Sequence, residues 1–439
     1  MTTTLAIIIC LAVMLILLAM GQFVHTFLFT VGILGIILLG EAKFITAFFG
    51  GVSYSSVATY SLSTIPLFVL MAQFFMRAGL VEDLFKMVNN SSKGKRGPLA
   101  VLTEVIGAFL GAVSGSGTAT SASLGQVVVP QLVKYGYPEN LAGIVAASAG
   151  SLSGIIPPTV ILILYGSITE TPISTLFMAA VIPGLILTTI YIVLTLYYLR
   201  KEKGSTSAEG EATYDFEYLP IATKTKLLTV GISLLIVIIV FVGIYSGFFT
   251  PTEAAAVGSF ATLLAAFGLG KVNKSFIWDS LKETVKVSAM VMLIIIAAKF
   301  FARFISLSLI PRQLITALAP LMNQPWIILA FCGALYFVLF CLLEGSAAIV
   351  MTVPILLPIV QAMNMDVVWF GIFICLFAVV GQLTPPVGMS VYAVCGVSGL
   401  NMGSVFNYGI KYALVACLVM GVILIAFPQI TAWLPNLMN

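Results

Sequence analysis

Charge is what this chain has least of. Of its 439 residues only 8% are charged, 20 basic and 16 acidic, while 60% are apolar. A soluble globular domain carries about 25% charged and about 45–50% apolar residues. So little charge cannot wet the surface of a chain this long, and the solvent must be lipid. That excludes a soluble enzyme, a nucleic-acid binder and a disordered tail. The net charge of +4 is small, and where it lies along the chain matters more than its sum.

Histidine is nearly missing as well. With His25 alone, and with Cys10, Cys332, Cys341, Cys375, Cys395 and Cys417 forming no CxxC pair, a Cys/His metal site is excluded. There is no HExxH motif and no Walker A loop, so the chain hydrolyses neither peptides through zinc nor ATP. Gly396-Val-Ser-Gly399 matches the GxSG string of intramembrane serine proteases. That chemistry needs a base beside the serine, and His25 is the one histidine on offer. The first 18 residues resemble a signal peptide but lack a basic n-region, and apolar sequence continues to Leu39; the segment is expected to stay in the membrane.

What is present is long apolar runs. A helical span takes about 20 residues, and by that measure the chain holds roughly ten to twelve segments. The clearer ones are 5–39 (one span or two short helices), 65–80, 141–166, 173–199, 227–245, 254–269, 285–305, 367–397 and 405–427. Residues 99–133 and 326–363 differ, because small and polar residues break each in the middle. The breaks read Ser114-Gly-Ser-Gly-Thr-Ala-Thr-Ser121 and Glu344-Gly-Ser-Ala347. Arms of about 15 residues are too short to span twice, so each stretch reads as a re-entrant hairpin, tolerated where it lines protein or a water-filled cavity. One stretch is hydrophilic, 204–226, with the Gly/Ser composition of a linker. The expected organisation is N-terminal scaffold helices in 1–60, a first repeat in 61–203, that linker on the cytoplasmic side, and a second repeat in 227–439.

The two halves repeat each other. At a constant offset of 228, Pro130 falls on Pro358, Pro157-Pro158 on Pro385-Pro386, and Gly117-Thr118-Ala119 on Gly345-Ser346-Ala347. At offset 226, Phe74-Phe75-Met76-Arg77 falls on Phe300-Phe301-Ala302-Arg303. Four matches in one order make an internal repeat of a hairpin followed by a Pro-Pro-broken helix. Lys86, Lys93, Lys95, Arg96, Lys134, Arg200, Lys201, Lys203, Lys224 and Lys226 all fall inside if the hairpin of 99–133 opens to the cytoplasm. Counting spans onward then brings the second hairpin in from outside, so the repeats are inverted; Arg312 is the one exception.

Inverted repeats with discontinuous helices at the bilayer midplane are how many secondary transporters are built. A broken helix exposes N–H groups at one end and C=O groups at the other. The first attract a carboxylate, and the second, with hydroxyls, coordinate Na+. One candidate set is Ser114, Gly115, Ser116, Gly117, Thr118, Thr120 and Ser121 facing Ser151, Ser153, Gly154 and Pro157. The other is Glu344, Gly345, Ser346 and Ala347 facing Gly381, Gln382, Thr384, Pro385 and Gly388. Packing of small residues between helices gives the same composition; the matched appearance beside Pro-Pro in both halves favours sites. Charge inside the membrane is costly. Lys299 either pairs with Glu104 or Glu344, attracts an anionic substrate, or snorkels. Arg77 and Arg303 read as snorkelling residues, His25 as interfacial and Glu253 as a capping acid after Pro251. Glu344 reads equally as a cation or proton carrier and as an N-cap. A channel is the rival, because broken helices also build pores.

Gly243-Ile-Tyr-Ser-Gly-Phe-Phe-Thr-Pro-Thr-Glu-Ala-Ala-Ala-Val-Gly258 resembles a signature stretch of the large membrane subunit of TRAP (tripartite ATP-independent periplasmic) transporters. Ser114–Ser121, Gly154-Ile-Ile-Pro-Pro158 and Gly381-Gln-Leu-Thr-Pro-Pro386 resemble that family too, over essentially the whole chain. The resemblance implies a Na+-coupled importer of organic acids of the C4-dicarboxylate or sialic acid type, in the bacterial inner membrane, working by an elevator movement. It needs no cofactor beyond Na+ as coupling ion. It implies two partners, a small four-helix membrane subunit and a periplasmic substrate-binding protein. On this reading substrate lies at Ser116, Gly117, Thr118, Ser346 and Ala347, with Lys299. Na+ lies at Ser114, Gly115, Ser151, Ser153, Gly154 and Pro157, and at Glu344, Gly345, Gly381, Gln382, Thr384 and Pro385.

Overall fold

Helix is the only regular structure among the described residues, 3–205 and 218–437 of a computed structural model. Lipid demands this, since backbone groups at membrane depth find no water and must be satisfied within the chain. The protein is an all-α polytopic membrane protein. Among the described residues seven helices are long and apolar enough to cross a membrane, and five further apolar helices are only 10–17 residues long. Those short pieces explain why counting apolar runs overshoots the number of full-length helices.

Residues 5–39 form two helices, α1 (Thr3–Ala19) and α2 (Val24–Leu38). Short α3 (Lys43–Ala47) and α4 (Ser53–Val57) lead into α5 (Thr64–Arg77) and α6 (Leu80–Ser92). Then come α7 (Arg96–Ser114), α8 (Gly117–Lys134), α9 (Glu139–Ser151), α10 (Val160–Thr169) and α11 (Ile173–Ser205). Of the expected linker, 206–217 lie outside the described residues.

The second half runs α12 (Thr223–Val237), α13 (Pro251–Gly268), α14 (Lys274–Leu307), α15 (Ile310–Leu318), α16 (Pro325–Leu342) and α17 (Gly345–Ala362). It ends with α18 (Val367–Gly381), α19 (Met389–Ser398), α20 (Met402–Ala426) and α21 (Gln429–Asn436). Helix α13 opens with a capping box: the Thr250 backbone N–H donates to Glu253 Oε2 (2.8 Å) and the Glu253 N–H donates to Thr250 Oγ1 (3.3 Å). Glu253 is thus a capping acid, with Pro251 in the first turn.

One sequence expectation needs correcting. The hairpin arms α7, α8, α16 and α17 are 19, 18, 18 and 18 residues long. At 1.5 Å per residue each reaches roughly 27 Å, so shortness alone does not make them re-entrant. The helices continue past the ends of the apolar runs, through Arg96 at one end and Lys134 at the other. Helix α14 is longer than 285–305 for the same reason: its polar first turns start at an N-cap where Asn273 Oδ1 accepts from the Phe276 N–H (2.7 Å).

The repeated Phe-Phe-x-Arg segments end α5 and lie near the end of α14. Phe300 packs among Phe29, Phe48 and Phe49. Its backbone rides so close to α2 that a Cβ on Gly32 would lie 2.8 Å from the Phe300 carbonyl carbon. Both matching arginines have partners, Arg77 while remaining exposed. Arg77 pairs with Asp279 on α14 (3.6 Å), and the Arg303 guanidinium lies over the Phe44 ring (4.4 Å). After each segment the chain turns through one left-handed residue, Gly79 (φ 76°) and Leu309 (φ 57°), into α6 and α15.

Candidate functional site

The site begins with proline chemistry. Pro157, Pro158, Pro385 and Pro386 have no N–H, so in a helix the carbonyls of Ser153, Gly154, Gly381 and Gln382 would lose their donors four residues on. The helices stop there. Helix α9 ends in a short tight turn (Leu152–Gly154) and α10 starts only at Val160; α18 ends at Gly381 and α19 starts at Met389. Both Pro-Pro bonds are cis. Thr159 caps α10 by accepting from the Ile161 N–H (3.3 Å).

Each break is tied to the hairpin of its own half by one backbone hydrogen bond. The Val160 N–H donates to Gly115 O (3.4 Å), and the Val387 N–H donates to Cys341 O (3.2 Å). Glycine is required at these approaches. A Cβ on Gly111 would lie 2.8 Å from Ser153 Cα, and one on Gly115, itself left-handed at φ 62°, would lie 2.9 Å from Pro158 O.

Each hairpin also reaches into the opposite half. Helix α8 packs on α19, and α17 packs on α10. At the crossing points a Cβ on Gly117 would lie 2.2 Å from Gln382 Oε1, and one on Gly345 would lie 2.7 Å from Ile161 Cδ1. Gln382 is held in place there. Its Nε2 donates to Ala378 O (3.0 Å), and its Oε1 accepts from Ser390 Oγ (3.0 Å). The two candidate sets are therefore brought together as crossed pairs.

Within the first tip, the Ser114 hydroxyl bonds that of Thr120, and Thr120 Oγ1 donates to Ser116 O (2.9 Å). Ser151 and Ser153 are fully buried and donate back to Ser148 O and Gly150 O (2.8 Å each). Gly154 O receives only a long bond from Thr159 Oγ1 (3.4 Å). In the second half Thr384 Oγ1 donates to Gly381 O (2.9 Å) and the Ser390 N–H donates to Gln382 O (3.1 Å). Ser346, Ala347, Gly381 and Thr384 are buried, whereas Pro385 and Pro386 are exposed. Ser114, Gly115, Ser116 and Thr118 are half-buried; Gly117, Pro157 and Gly345 are buried. Among the described residues no group of His, Cys, Asp and Glu could hold a metal ion. What these breaks offer a cation is carbonyl and hydroxyl oxygen.

Two charged candidates stand apart. Glu344 caps α17: its Oε2 accepts from the Ser346 N–H (2.9 Å) and its Oε1 from Ser346 Oγ (3.0 Å). Lys299, half-buried on α14, pairs with neither Glu104 nor Glu344. Glu104 is instead bonded by Ser148 and Thr195, and Glu344 is occupied by its own helix. A cavity of about 310 Å³ opens away from the tips, between α14, α15 and α17, beside Arg312, Pro354 and Pro358.

Known proteins resemble this chain over most of its length. Residues 11–430 match the family described as "Tripartite ATP-independent periplasmic transporter, DctM component". The chain is 30% identical over 378 residues to the C4-dicarboxylate TRAP transporter large permease protein DctM of Pseudomonas aeruginosa, covering 86% of each. It is 29% identical to the sialic acid TRAP transporter large permease protein SiaM of Vibrio cholerae, covering 87% of each. It is 28% identical to the isethionate TRAP transporter permease protein DctMQ of Oleidesulfovibrio alaskensis, over 80% of this chain but 54% of that longer protein. The fold is similar to that of the Alcanivorax borkumensis YdaH transporter, with a TM-score of 0.68, 12% identity and 88% of each chain covered.

Proposed function

Because the chain belongs to the DctM family, the large permease subunit of TRAP transporters, we propose that it imports an organic acid anion by secondary transport coupled to Na+. It is a transport subunit and not an enzyme. The observation that carries the proposal is the crossed pairing of hairpins and breaks. Each tip meets the unwound middle of an apolar segment and then packs on the other half, as two re-entrant hairpins around one central site would.

In this mechanism Na+ binds where carbonyls lose their helical donors, at Ser151, Ser153, Gly154 and Pro157 and at Gly381, Gln382, Thr384 and Pro385. The tips, Ser114 and Gly115 on one side and Glu344 and Gly345 on the other, close over the ions. The substrate anion then lies between the N-termini of α8 and α17, at Ser116, Gly117, Thr118, Ser346 and Ala347, where free N–H groups face negative charge. Lys299 completes the attraction from α14. Sodium offsets the cost of carrying a carboxylate through lipid, which is the physical reason for symport. The α7–α11 and α16–α20 helices, locked together by the crossed contacts, move as the elevator block against the remaining helices, the repeats being inverted about the membrane plane.

The relatives' names, C4-dicarboxylate, sialic acid and isethionate, support an organic acid anion as substrate. The family supports a small membrane subunit and a periplasmic binding protein as partners, and the greater length of the DctMQ relative is in keeping with subunits joined in one chain. The bacterial relatives support the inner membrane as its place.

The test is radiolabelled organic-acid uptake into proteoliposomes holding this chain and its small partner, with the binding protein outside. Uptake is expected only with both the binding protein and an inward Na+ gradient. Uptake that follows a pH gradient and ignores Na+ would move the coupling to Glu344, and flux without any gradient would make the chain a channel. A second expectation concerns that acid directly. Glu344→Gln keeps an oxygen for the Ser346 N–H, so Na+-driven uptake should remain largely intact. Complete loss in a folded variant would show that the charge itself is needed.

A further inference from the structure

Glu104 lies in the middle of α7 with none of its surface exposed. Its Oε1 accepts from Ser148 Oγ on α9 (2.7 Å) and from Thr195 Oγ1 on α11 (3.2 Å). Thr195 in turn shares a hydrogen bond with the Tyr412 hydroxyl on α20 (2.9 Å). Ser148, Thr195, Tyr191 and Tyr412 are likewise fully buried. Four helices thus converge on one carboxyl group.

None of them brings a cation. From α9 the group facing it is Ser148; from α11, Tyr191 and Thr195; from α20, Tyr412, with Cys417 beside Tyr191. On α7 itself the nearest base is Arg96, two turns away and donating to the carbonyls of Tyr135 and Gly136. Lys411 on α20 is turned to the Tyr198 and Tyr408 rings (5.7 and 5.1 Å). Arg77 on α5 is engaged by Asp279, and on α6 Lys86 by Asp83. Lys134 and Arg200 lie at helix ends.

Glu104 Oε2 and the Tyr191 hydroxyl, which sits beside Ser151 but short of hydrogen-bond geometry, have no partner. An ionised carboxylate so placed would be an uncompensated buried charge. Two ways out exist, a proton or a small cation. Three neutral hydroxyls are too few for a cation's oxygen shell, and Oε1 already accepts two hydrogens. A proton needs no shell.

We propose that Glu104 is a proton-binding site: a proton from water resides on its carboxyl group, at the oxygen the hydroxyls leave free, and makes the group neutral at the centre of the bundle. The proton comes from hydronium: its O–H bond breaks to leave water as the new O–H bond forms at Oε2, and no other bond changes. The α7, α9, α11 and α20 helices all belong to the block that holds the candidate site, so this proton travels with it. It is distinct from the coupling ions and from Glu344.

The test is infrared difference spectroscopy of the full chain in lipid at about pH 8, where ordinary carboxyl groups are ionised. A protonated-carboxyl C=O band is expected in the parent and lost in Glu104→Gln. Thr195→Val, which removes one donor from Oε1, should shift that band to higher frequency. The shift reads out the site even if Glu104→Gln does not fold. In proteoliposomes the parent's Na+-driven uptake is expected to decline at alkaline pH as Glu104 loses its proton, and Glu104→Gln should retain the uptake without that decline. No band difference, a band unmoved by Thr195→Val, or a band abolished when NaCl replaces choline chloride would each overturn the proposal. The infrared readout needs no transport, so its outcome is separate from that of the uptake reaction.

Discussion

Alanine at Gly409 is expected to lower the thermal-unfolding midpoint of the protein sharply. Gly409 on α20 faces the break between α18 and α19, and a Cβ there would lie 2.1 Å from the Leu383 carbonyl oxygen. That atom is backbone, fixed between Gln382 and Thr384, and no side-chain rotation clears it. Overpacking of this kind costs about 1–3 kcal/mol and occasionally more, a large part of a typical net stability of about 5–15 kcal/mol. The measurement is thermal unfolding of purified protein in detergent, with Gly421→Ala as control. Gly421 lies on the same helix with nothing within 4 Å of an added Cβ. The control should unfold at or slightly above the parent's midpoint, since alanine favours helix over glycine by about 1 kcal/mol. Equal midpoints for the two variants would mean that α20 stands further from the break than the geometry shows.

The second large effect is on transport. Gly117→Ala brings a methyl group 2.2 Å from Gln382 Oε1, where the first hairpin crosses onto the second broken helix. Gln382 cannot yield freely, because Ala378 O and Ser390 Oγ hold its amide at both ends. Uptake by Gly117→Ala should fall steeply in protein that remains folded. Gln382→Ala should also impair uptake, and the double variant should be no worse than Gln382→Ala alone, because the collision is then gone. Contacting residues typically show coupling of about 0.5–3 kcal/mol in such cycles. Additive losses would mean that the two residues do not meet in the working protein.

Much of the geometry of this candidate site is legible in the sequence. Pro157-Pro158 and Pro385-Pro386 remove N–H donors wherever the chain goes, so a break at each doublet was readable from residue type. The tips at Ser114–Gly117 and Glu344–Gly345 were readable for a similar reason, as small and capping residues inside apolar runs. The length of the hairpin arms was misread, because hydropathy marks where the apolar run stops and not where the helix does. Arg96 and Lys134 are helical and polar at once. That Lys299 pairs with neither Glu104 nor Glu344 was not legible, because Glu104 is held by hydroxyl donors that only the packing brings to it, and Glu344 by the Ser346 N–H and hydroxyl of its own helix.

Composition and residue chemistry, then, determined on their own that this is a helical membrane protein, that it repeats itself, and where its helices break. Those are properties of local backbone and of solvent, and they act over a turn or a span. Tertiary structure alone decided which break meets which tip. Gly117 reaches Gln382 across 265 positions of the chain, and Glu104 collects its hydroxyls from Ser148, Thr195 and, through Thr195, Tyr412. A lone acid in an apolar run says nothing about its partners, because those arrive by the packing of four helices, which depends on the sum of all contacts and on no single stretch of sequence.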